Sequence, residues 1–557
     1  MPQTLPRALM QILRDRFGVT HLRPGQADVL ASVLRGHDTI AIMPTGSGKS
    51  LCFQLPALLQ QGLTVVVSPL IALMQDQAGK LDRLDLPPAV VNSAVGDAAL
   101  DSLARGGERI LLTTPEQLED KAVMEAVRRN DVRLFVVDEA HCISQWGHDF
   151  RTAYLGLGDA AMALSRPTIL ALTATATDAV VKDIAIHLRM RKPCIVRAPL
   201  FRANLVYSVE HVSGESERLE AVLRQVAAGR GAGIVYTATV ALAEQLYGDL
   251  QQAGKNVALY HGRRTAAQRR EAQQAFMAGR ADVMVATNAF GMGIDKPDVR
   301  FIVHAQCPGS LDAYYQESGR AGRDGGTARC TLVFDEKDKR IHHFFLANRY
   351  PAASDLRQMA TALRGTPMAL PAMRTALPQI GARRLQAGMR MLADFGIVKR
   401  GRDGRFSLRD GQAGDIENIV ARYDARSRED RETLQAMLDY AHSGRCRWKL
   451  LLEYYDETEG PERCGTCDSC RRLAEATAHQ SNVDQAVLPS TTPAPFAEGD
   501  EVRARRFGAG TVVAVSAEWV EVRFPDDGVR RFLPRYLRRA GQGRGTASVA
   551  NRGAARG

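Results

Sequence analysis

The chain has 557 residues, 45% of them hydrophobic and 24% charged, with a formal net charge of +11. Single cores stop growing at about 250–300 residues, so this length excludes one core and implies three or more domains. No apolar run of about 18 residues is present to cross a membrane, and the basic balance favours a polyanionic partner, nucleic acid being the commonest.

Residues 1–10 lack the charged-then-apolar layout of a secretory signal. The expectation is a cytoplasmic protein of a bacterial cytosol or nucleoid, with no membrane partner, where disulfides are rare. Cys52, Cys142, Cys194, Cys307 and Cys330 are scattered and are expected to pack in or near cores.

Over residues 1–200 apolar runs alternate with helical patterns. Strands are predicted at 39–43, 63–67, 110–113, 133–137 and 168–172, a rhythm that gives a mostly parallel sheet with helices on both faces. Ligands of such sheets bind beyond the carboxyl ends of the strands. The first of those ends carries Met43-Pro44-Thr45-Gly46-Ser47-Gly48-Lys49-Ser50. A strand, a Gly-containing turn and Gly-Lys-Ser at a helix start make a phosphate-binding loop. Thr45, Gly46, Ser47 and Gly48 cradle the phosphates of ATP, Lys49 reaches the β/γ oxygens, and Ser50 ligates Mg2+. Met43 stands where the strict pattern has its first Gly.

After the second strand comes Ser68-Pro69-Leu70-Ile71-Ala72-Leu73-Met74-Gln75-Asp76-Gln77, and after the third comes Thr114-Pro115-Glu116. Ser68 and Gln75 are candidate phosphodiester contacts; simple helix capping is the equal alternative. Asp138-Glu139-Ala140-His141 follows the fourth strand. There Asp138 can hold Mg2+ while Glu139 orients or deprotonates the attacking water. Next, Trp146, Phe150 and Arg151 lie in one polar loop. Aromatics beside an arginine form a platform for unpaired bases, a buried Trp anchor being the alternative. Leu172-Thr173-Ala174-Thr175-Ala176-Thr177 is suited to link the phosphate site to its neighbours.

In this order, PTGSGKS, SPLIALMQDQ, TTPEQL, DEAHCISQWGHDF and LTATAT resemble the RecQ family of superfamily 2 DNA helicases. The resemblance implies that the loop around Trp146 senses single-stranded DNA. It also makes Phe17-Gly18 and Leu22-Arg23-Pro24-Gly25-Gln26 similar to the family's adenine-recognising motif, with Gln26 on the base edge and Arg23 nearby. Val19 occupies a position that is aromatic in several members.

A second α/β unit follows from about 201, with strands predicted at 233–236, 257–260, 283–286 and 300–304. It has no phosphate loop. It offers Thr287 as a DNA contact, Gly293 and Asp295 as nucleotide contacts, and Gln316-Glu317-Ser318-Gly319-Arg320-Ala321-Gly322-Arg323. An arginine placed beside a γ-phosphate speeds transfer by about 10³–10⁵. The family resemblance makes Arg323 that residue, with Arg320 and Gln316 as companions. Two departures touch interdomain and DNA contacts: Thr237-Ala238-Thr239-Val240 replaces the family's Cys-Asn-Ser-Arg, and Phe201-Arg202-Ala203-Asn204 replaces Phe-Asp-Arg-Pro-Asn.

Residues 346–412 read as an amphipathic helix (Leu385, Gly388, Met389, Leu392, Phe395) and a short basic hairpin with Arg400, Arg402 and Arg405 facing phosphates. That suggests a winged helix, a protein-docking module being the alternative. In the RecQ family a winged helix follows the zinc element, whereas here it precedes the cysteines. Within 413–475, Cys446, Cys464, Cys467 and Cys470 match a tetrahedral structural Zn2+ site, and they also resemble the RecQ zinc subdomain. Residues 476–495 read as a linker. Residues 496–541 show short alternating strands expected to form a small barrel, similar to the SH3/Tudor-like tail of UvrD-type helicases. Its surplus of arginine suits nucleic acid or an acidic face of a protein partner. A disordered basic tail closes the chain at 542–557.

The expected fold is therefore α/β: RecA-like lobes at 1–200 and 201–345, a winged-helix-like insert, a helical zinc-binding subdomain and a small β-barrel. The expected function is ATP-dependent 3′–5′ translocation on single-stranded DNA, with unwinding of duplex and branched DNA. An RNA helicase, or a DNA-binding scaffold with a vestigial motor, are the other readings.

Overall fold

The computed structural model describes residues 6–69, 71–92, 98–144, 151–291, 296–349, 353–394, 397–401, 403–408, 416–484, 496–504, 507–516, 519–525 and 528–540. The chain divides into two compact units, Met1–Leu473 and Ala474–Gly557.

Strands β1 (Thr39–Ile42), β2 (Leu63–Val67), β3 (Ala89–Val91), β4 (Ile110–Thr113), β5 (Val132–Val137), β6 (Thr168–Thr173) and β7 (Cys194–Arg197) form one sheet. Its order is β3-β4-β2-β5-β6-β1-β7, and every pairing is parallel. Strands β1, β2 and β4 are buried at every position. Unbroken apolar runs of this kind are what a sheet covered on both faces requires. The sequence places five of the seven strands. It misses β3 and β7, both at the sheet edges, one only three residues long and the other mostly exposed.

The second sheet contains β8 (Leu205–His211), β9 (Ala232–Thr237), β10 (Val257–Tyr260), β11 (Val283–Thr287), β12 (Val299–His304) and β13 (Ala328–Phe334). Its order is β10-β11-β9-β12-β13-β8, again all parallel. The two parallel sheets resemble tandem RecA-like lobes. The core of the second lobe continues into the helical segment around the clustered cysteines. Trp448 on the Arg447–Tyr454 helix is buried, stands edge-on to Phe201 and Tyr207 at 5.0 Å, and donates through Nε1 to the Leu205 carbonyl at 3.1 Å.

Between the second lobe and the long Ile416–His442 helix lie three shorter helices, Ala353–Ala362, Leu370–Ala376 and Ala382–Asp394, then a hairpin of β14 (Val398–Arg400) and β15 (Phe406–Leu408). They share a core of their own that includes Met359, Met373, Met389 and Phe406. Gly388 lets these helices pack closely: a Cβ there would stand 2.5 Å from the Met359 sulfur, so that side chain would have to shift.

The second unit contains β16 (Glu501–Ala504), β17 (Gly508–Val515), β18 (Val520–Phe524), β19 (Gly528–Phe532) and β20 (Leu537–Arg539), all antiparallel, in the order β19-β18-β17-β16-β20. Val502, Val512, Val520, Val522 and Phe524 face its core. Where the sequence suggests a small barrel, the described residues form one five-stranded antiparallel sheet. Among the described residues β19 and β20 end the strand order and do not pair. Among the described residues no helix is long and apolar enough to cross a membrane.

Candidate active site and metal centre

Buried β1 delivers the chain to the phosphate-binding loop, and the Leu51–Leu59 helix leaves it. Gly46 (φ 83°) and Gly48 (φ 79°) take left-handed conformations that side chains disfavour, turning the loop tightly. Lys49 Nζ donates to the Met43 carbonyl at 3.2 Å, folded back along the loop. Gln26 braces the loop from the other side. Its Nε2 donates to the carbonyls of Ser47 and Gly48, both at 3.0 Å, and its Oε1 accepts from Arg23 N–H at 2.8 Å. The Arg23 guanidinium donates to the Gly46 carbonyl. The residues expected at the adenine thus also hold the phosphate loop in shape.

Asp138 and Glu139 follow β5. Burial, and then the neighbouring Glu139 charge, push the Asp138 carboxyl up to about 7 against the opposing pull of Lys49 and the Glu139 N–H. Glu139 sits at φ 49°, an uncommon conformation for a side-chain-bearing residue. Its Oε2 is buried and lies 3.4 Å from His141 Nδ1. That same ring nitrogen is 3.0 Å from Thr173 Oγ1, whose hydroxyl donates to the Thr175 carbonyl at 2.8 Å. Tyr154 OH donates to the Asp138 carbonyl at 3.0 Å. Close contacts therefore run from Glu139 through His141 and Thr173 to the Thr-Ala-Thr turn after β6.

The second lobe faces this loop with the turn after the Leu311–Ser318 helix. A Cβ on Gly46 would stand 2.9 Å from Arg323 Cγ, and one on Gly319 would stand 3.4 Å from Thr45 Cβ. The lobes therefore meet at the phosphate loop. Arg320 is nearly buried. Behind the helix, buried His304 bonds Glu317 at 2.9 Å and stacks on Tyr236 at 5.4 Å. Lys49, Asp138, Glu139, Gln316, Arg320 and Arg323 line one cleft of about 730 Å³, which also takes in Val19 and Ser50.

Sequence reasoning missed two residues of this arrangement. Arg202 donates to the carbonyls of Gly319 (2.9 Å), Ala321 (2.8 Å) and Gly322 (2.6 Å), and Asn204 Nδ2 donates to those of Gly322 (2.8 Å) and Gly326 (2.9 Å). They hold the arginine-bearing turn in place. The only signal was that this segment departs from the family pattern.

The expected DNA contacts scatter differently. Gln75 is exposed on the Ile71–Asp82 helix, Thr287 ends β11 nearly buried, and Arg405 is exposed, 3.7 Å from Asp403. Arg151 donates to the Pro69 carbonyl at 3.0 Å. Ser68, just past β2, is 0% exposed, and its buried hydroxyl has no hydrogen-bond partner among the described residues. Trp146, Phe150, Gly293, Asp295 and Arg402 lie outside the described residues, as does the side chain of Arg400.

Cys446 opens the Arg447–Tyr454 helix, and Cys464, Cys467 and Cys470 come from the turn before and the start of the Asp468–Asp484 helix. Their four sulfurs lie within 4.8 Å of one another. Thiolates at about 2.3 Å from one tetrahedral Zn2+ stand about 3.8 Å apart, so the cluster fits that ion. N–H groups of Cys464, Cys467 and Cys470 point at the sulfurs of Cys446 (3.3 Å), Cys464 (3.3 Å) and Cys467 (3.4 Å). Buried Arg447 bonds Asp468 through two contacts (2.9 and 3.0 Å) and fixes the two helices to each other. Four protein ligands close the site, which makes this zinc-binding cluster structural.

Comparison with known proteins agrees with this geometry. The DEAD/DEAH box helicase profile matches residues 23–184, the helicase conserved C-terminal domain 216–325, and the RecQ zinc-binding profile 411–471. The ATP-dependent DNA helicase RecQ of Synechocystis sp. is 34% identical over 488 residues, covering 83% of this chain and 98% of that protein. The RecQ helicase of Bacillus subtilis is 33% identical over 466 residues, covering 82% of this chain and 66% of its own length. Among solved structures, Mycobacterium smegmatis helicase Lhr superposes with a TM-score of 0.50 at 22% identity over 74% of this chain and 61% of that one, a likeness of fold. The chain therefore belongs to the RecQ family of ATP-dependent superfamily 2 DNA helicases.

Proposed function

We propose that hydrolysis occurs where the two lobes meet and drives 3′–5′ movement along single-stranded DNA, opening duplex and branched substrates. Thr45 to Ser50 cradle the triphosphate, with Gln26 and Arg23 at the base. Glu139 takes the proton of the attacking water as the bond between the β-oxygen and the γ-phosphorus breaks. Arg320 and Arg323 stabilise the charge gathered on the γ-phosphoryl group, and Gln316 orients them. Asp138 and Ser50 fit Mg2+, which would neutralise phosphate charge; the crowding of the buried Asp138 carboxyl by the neighbouring Glu139 charge supports a cation there.

The observation carrying this reading is the packing of Arg323 against Gly46, from opposite lobes. Nucleotide bound at that seam favours the closed arrangement and its loss favours the open one, so a strand lying across both lobes is moved. Gln75, Arg151 and Thr287 are our candidate contacts to that strand, together with Trp146 and Phe150. The Lhr structure, solved with single-stranded DNA and AMP-PNP, supports a motor of this fold gripping one strand. Measuring ATPase activity and unwinding of tailed and forked DNA with Lys49→Ala and Glu139→Gln tests the reading. Both variants should lose both activities, and retained unwinding would refute it.

Residues 346–412 are read as a winged-helix-like insert whose Arg400, Arg402 and Arg405 touch phosphates. Three helices followed by a hairpin support this, as does the Met368–Phe406 bridge that adds a third short pairing. We read residues 413–475 as the zinc subdomain, whose last helix runs on to Asp484, and 496–541 as an SH3/Tudor-like module similar to the tail of UvrD-type helicases.

A further inference from the structure

Alternate residues of β16 enter the core of the C-terminal unit, so Arg503, between buried Val502 and Ala504, faces outward. In register it stands opposite Arg538 of β20 on one side and Ala509 of β17 on the other. On the next row of the same face, Thr511 of β17 lies between Glu501 and Arg523 of β18. Directly opposed side chains have Cβ atoms about 4.5–5.5 Å apart, and like charges there are destabilising.

Two other arginines of this unit are neutralised: Arg531 bonds Glu521 at 2.6 Å and Arg539 bonds Asp500 at 3.0 Å. Among the described residues, Arg503, Arg523 and Arg538 have no acidic partner within ion-pair distance. A fold that opposes two cations across a strand pair and leaves them unpaired has a surface suited to an anion.

We propose that this face binds the phosphodiester backbone of the DNA on which the motor works. Its centre is Ala509 and Thr511, small side chains that let a chain lie flat. Arginine contacts to phosphate grip without reading sequence. A second grip on DNA already held by the same chain works at the high effective concentration that tethering provides. Residues 496–557 carry 12 arginines against 7 acids, so the module as a whole attracts the same ligand.

The test uses the full chain and a fluorescent duplex with a 3′ single-stranded tail, its affinity measured across a salt series for wild type and for the triple variant Arg503→Gln, Arg523→Gln, Arg538→Gln. Each lost phosphate contact makes the slope of log K against log salt shallower by about 0.7–0.9. The triple variant should therefore lose between about 2 and 3 units of slope and bind at least ~10-fold more weakly in low salt. Its melting temperature should be no lower, because the opposed cations have been removed. An unchanged slope overturns the proposal, whether affinity is unchanged, as a face for an acidic protein would give, or falls together with the melting temperature, as a structural role would give.

Discussion

The Arg202 guanidinium donates to the Gly319 carbonyl at 2.9 Å, across 117 residues of sequence, and so ties the entry of the second lobe to the turn that carries Arg320 and Arg323. Backbone carbonyls accept the bonds, so no acidic partner marks Arg202 in the sequence. Replacing it by alanine leaves the Gly319, Ala321 and Gly322 carbonyls without that donor. The expected result is a fall of at least ~10-fold in kcat of the DNA-stimulated ATPase with KM for ATP little changed, because a misplaced transition-state group lowers kcat first. Arg202→Lys, which keeps one donor, should recover part of it. Steady-state kinetics of the two variants checks this, and equal kcat in both and in wild type would remove Arg202 from the account.

Zinc removal should act well beyond the cysteines. Trp448 lies two residues after Cys446 and is buried against Tyr207 of the second lobe. Chelation, or Cys467→Ser, should release the ion, shift tryptophan emission to longer wavelength and lower the melting temperature, since structural zinc contributes folding energy directly. Fluorescence and metal analysis on one sample make the comparison. An unmoved emission maximum after complete zinc loss would separate the cluster from the lobe.

Asp38 gives the first lobe a defined acid sensitivity. Burial raises its carboxyl, but the Arg166 guanidinium and the N–H groups of Arg191 and Ile169 outweigh burial and hold it below its ordinary value. A depressed folded pKa adds stability that is fully present above the unfolded value, about 3.9, and is lost as pH falls through the folded one. Asp38→Asn should destabilise the chain by about 3–5 kcal/mol at neutral pH by leaving Arg166 buried without its counter-charge. It should also flatten the dependence of melting temperature on pH below about 4. Calorimetry between neutral and acid pH reads both effects.

The insert can be broken while the motor is spared. Gly388→Leu would drive a side chain into Met359 and Leu356, and overpacking of this kind costs about 1–3 kcal/mol or more. DNA-stimulated ATPase should persist while unwinding of forked substrates falls, because the damaged core belongs to the insert alone. Loss of both activities together would place the insert inside the motor.

The chemistry-bearing stretches were legible because each is a short run whose residue types and spacing carry its own chemistry. In the structure the phosphate loop, Asp138, Glu139, Gln316, Arg320 and Arg323 line one cleft, and the four cysteines form one cluster. Less legible was whatever depends on contacts between distant segments. Strand β8 alternates buried and half-exposed residues and carries Ser208 and Glu210, so it does not read as part of a covered parallel sheet. Ser68 has the hydroxyl that a phosphate contact needs, yet its exposure is decided by neighbours its own segment does not specify. The order of the C-terminal strands is set by pairing between separate segments, and the alternation within each strand carries no information about it.

The meeting of Arg323 and Gly46 is most directly tested by single-turnover ATP hydrolysis at saturating DNA, comparing wild type with Arg323→Ala. The hydrolysis rate should fall about 10³-fold or more, with ATP affinity changed only a few-fold because the phosphate loop is intact. A variant that hydrolyses ATP at the wild-type rate would contradict it, since the second lobe would then supply nothing to the reaction at the seam.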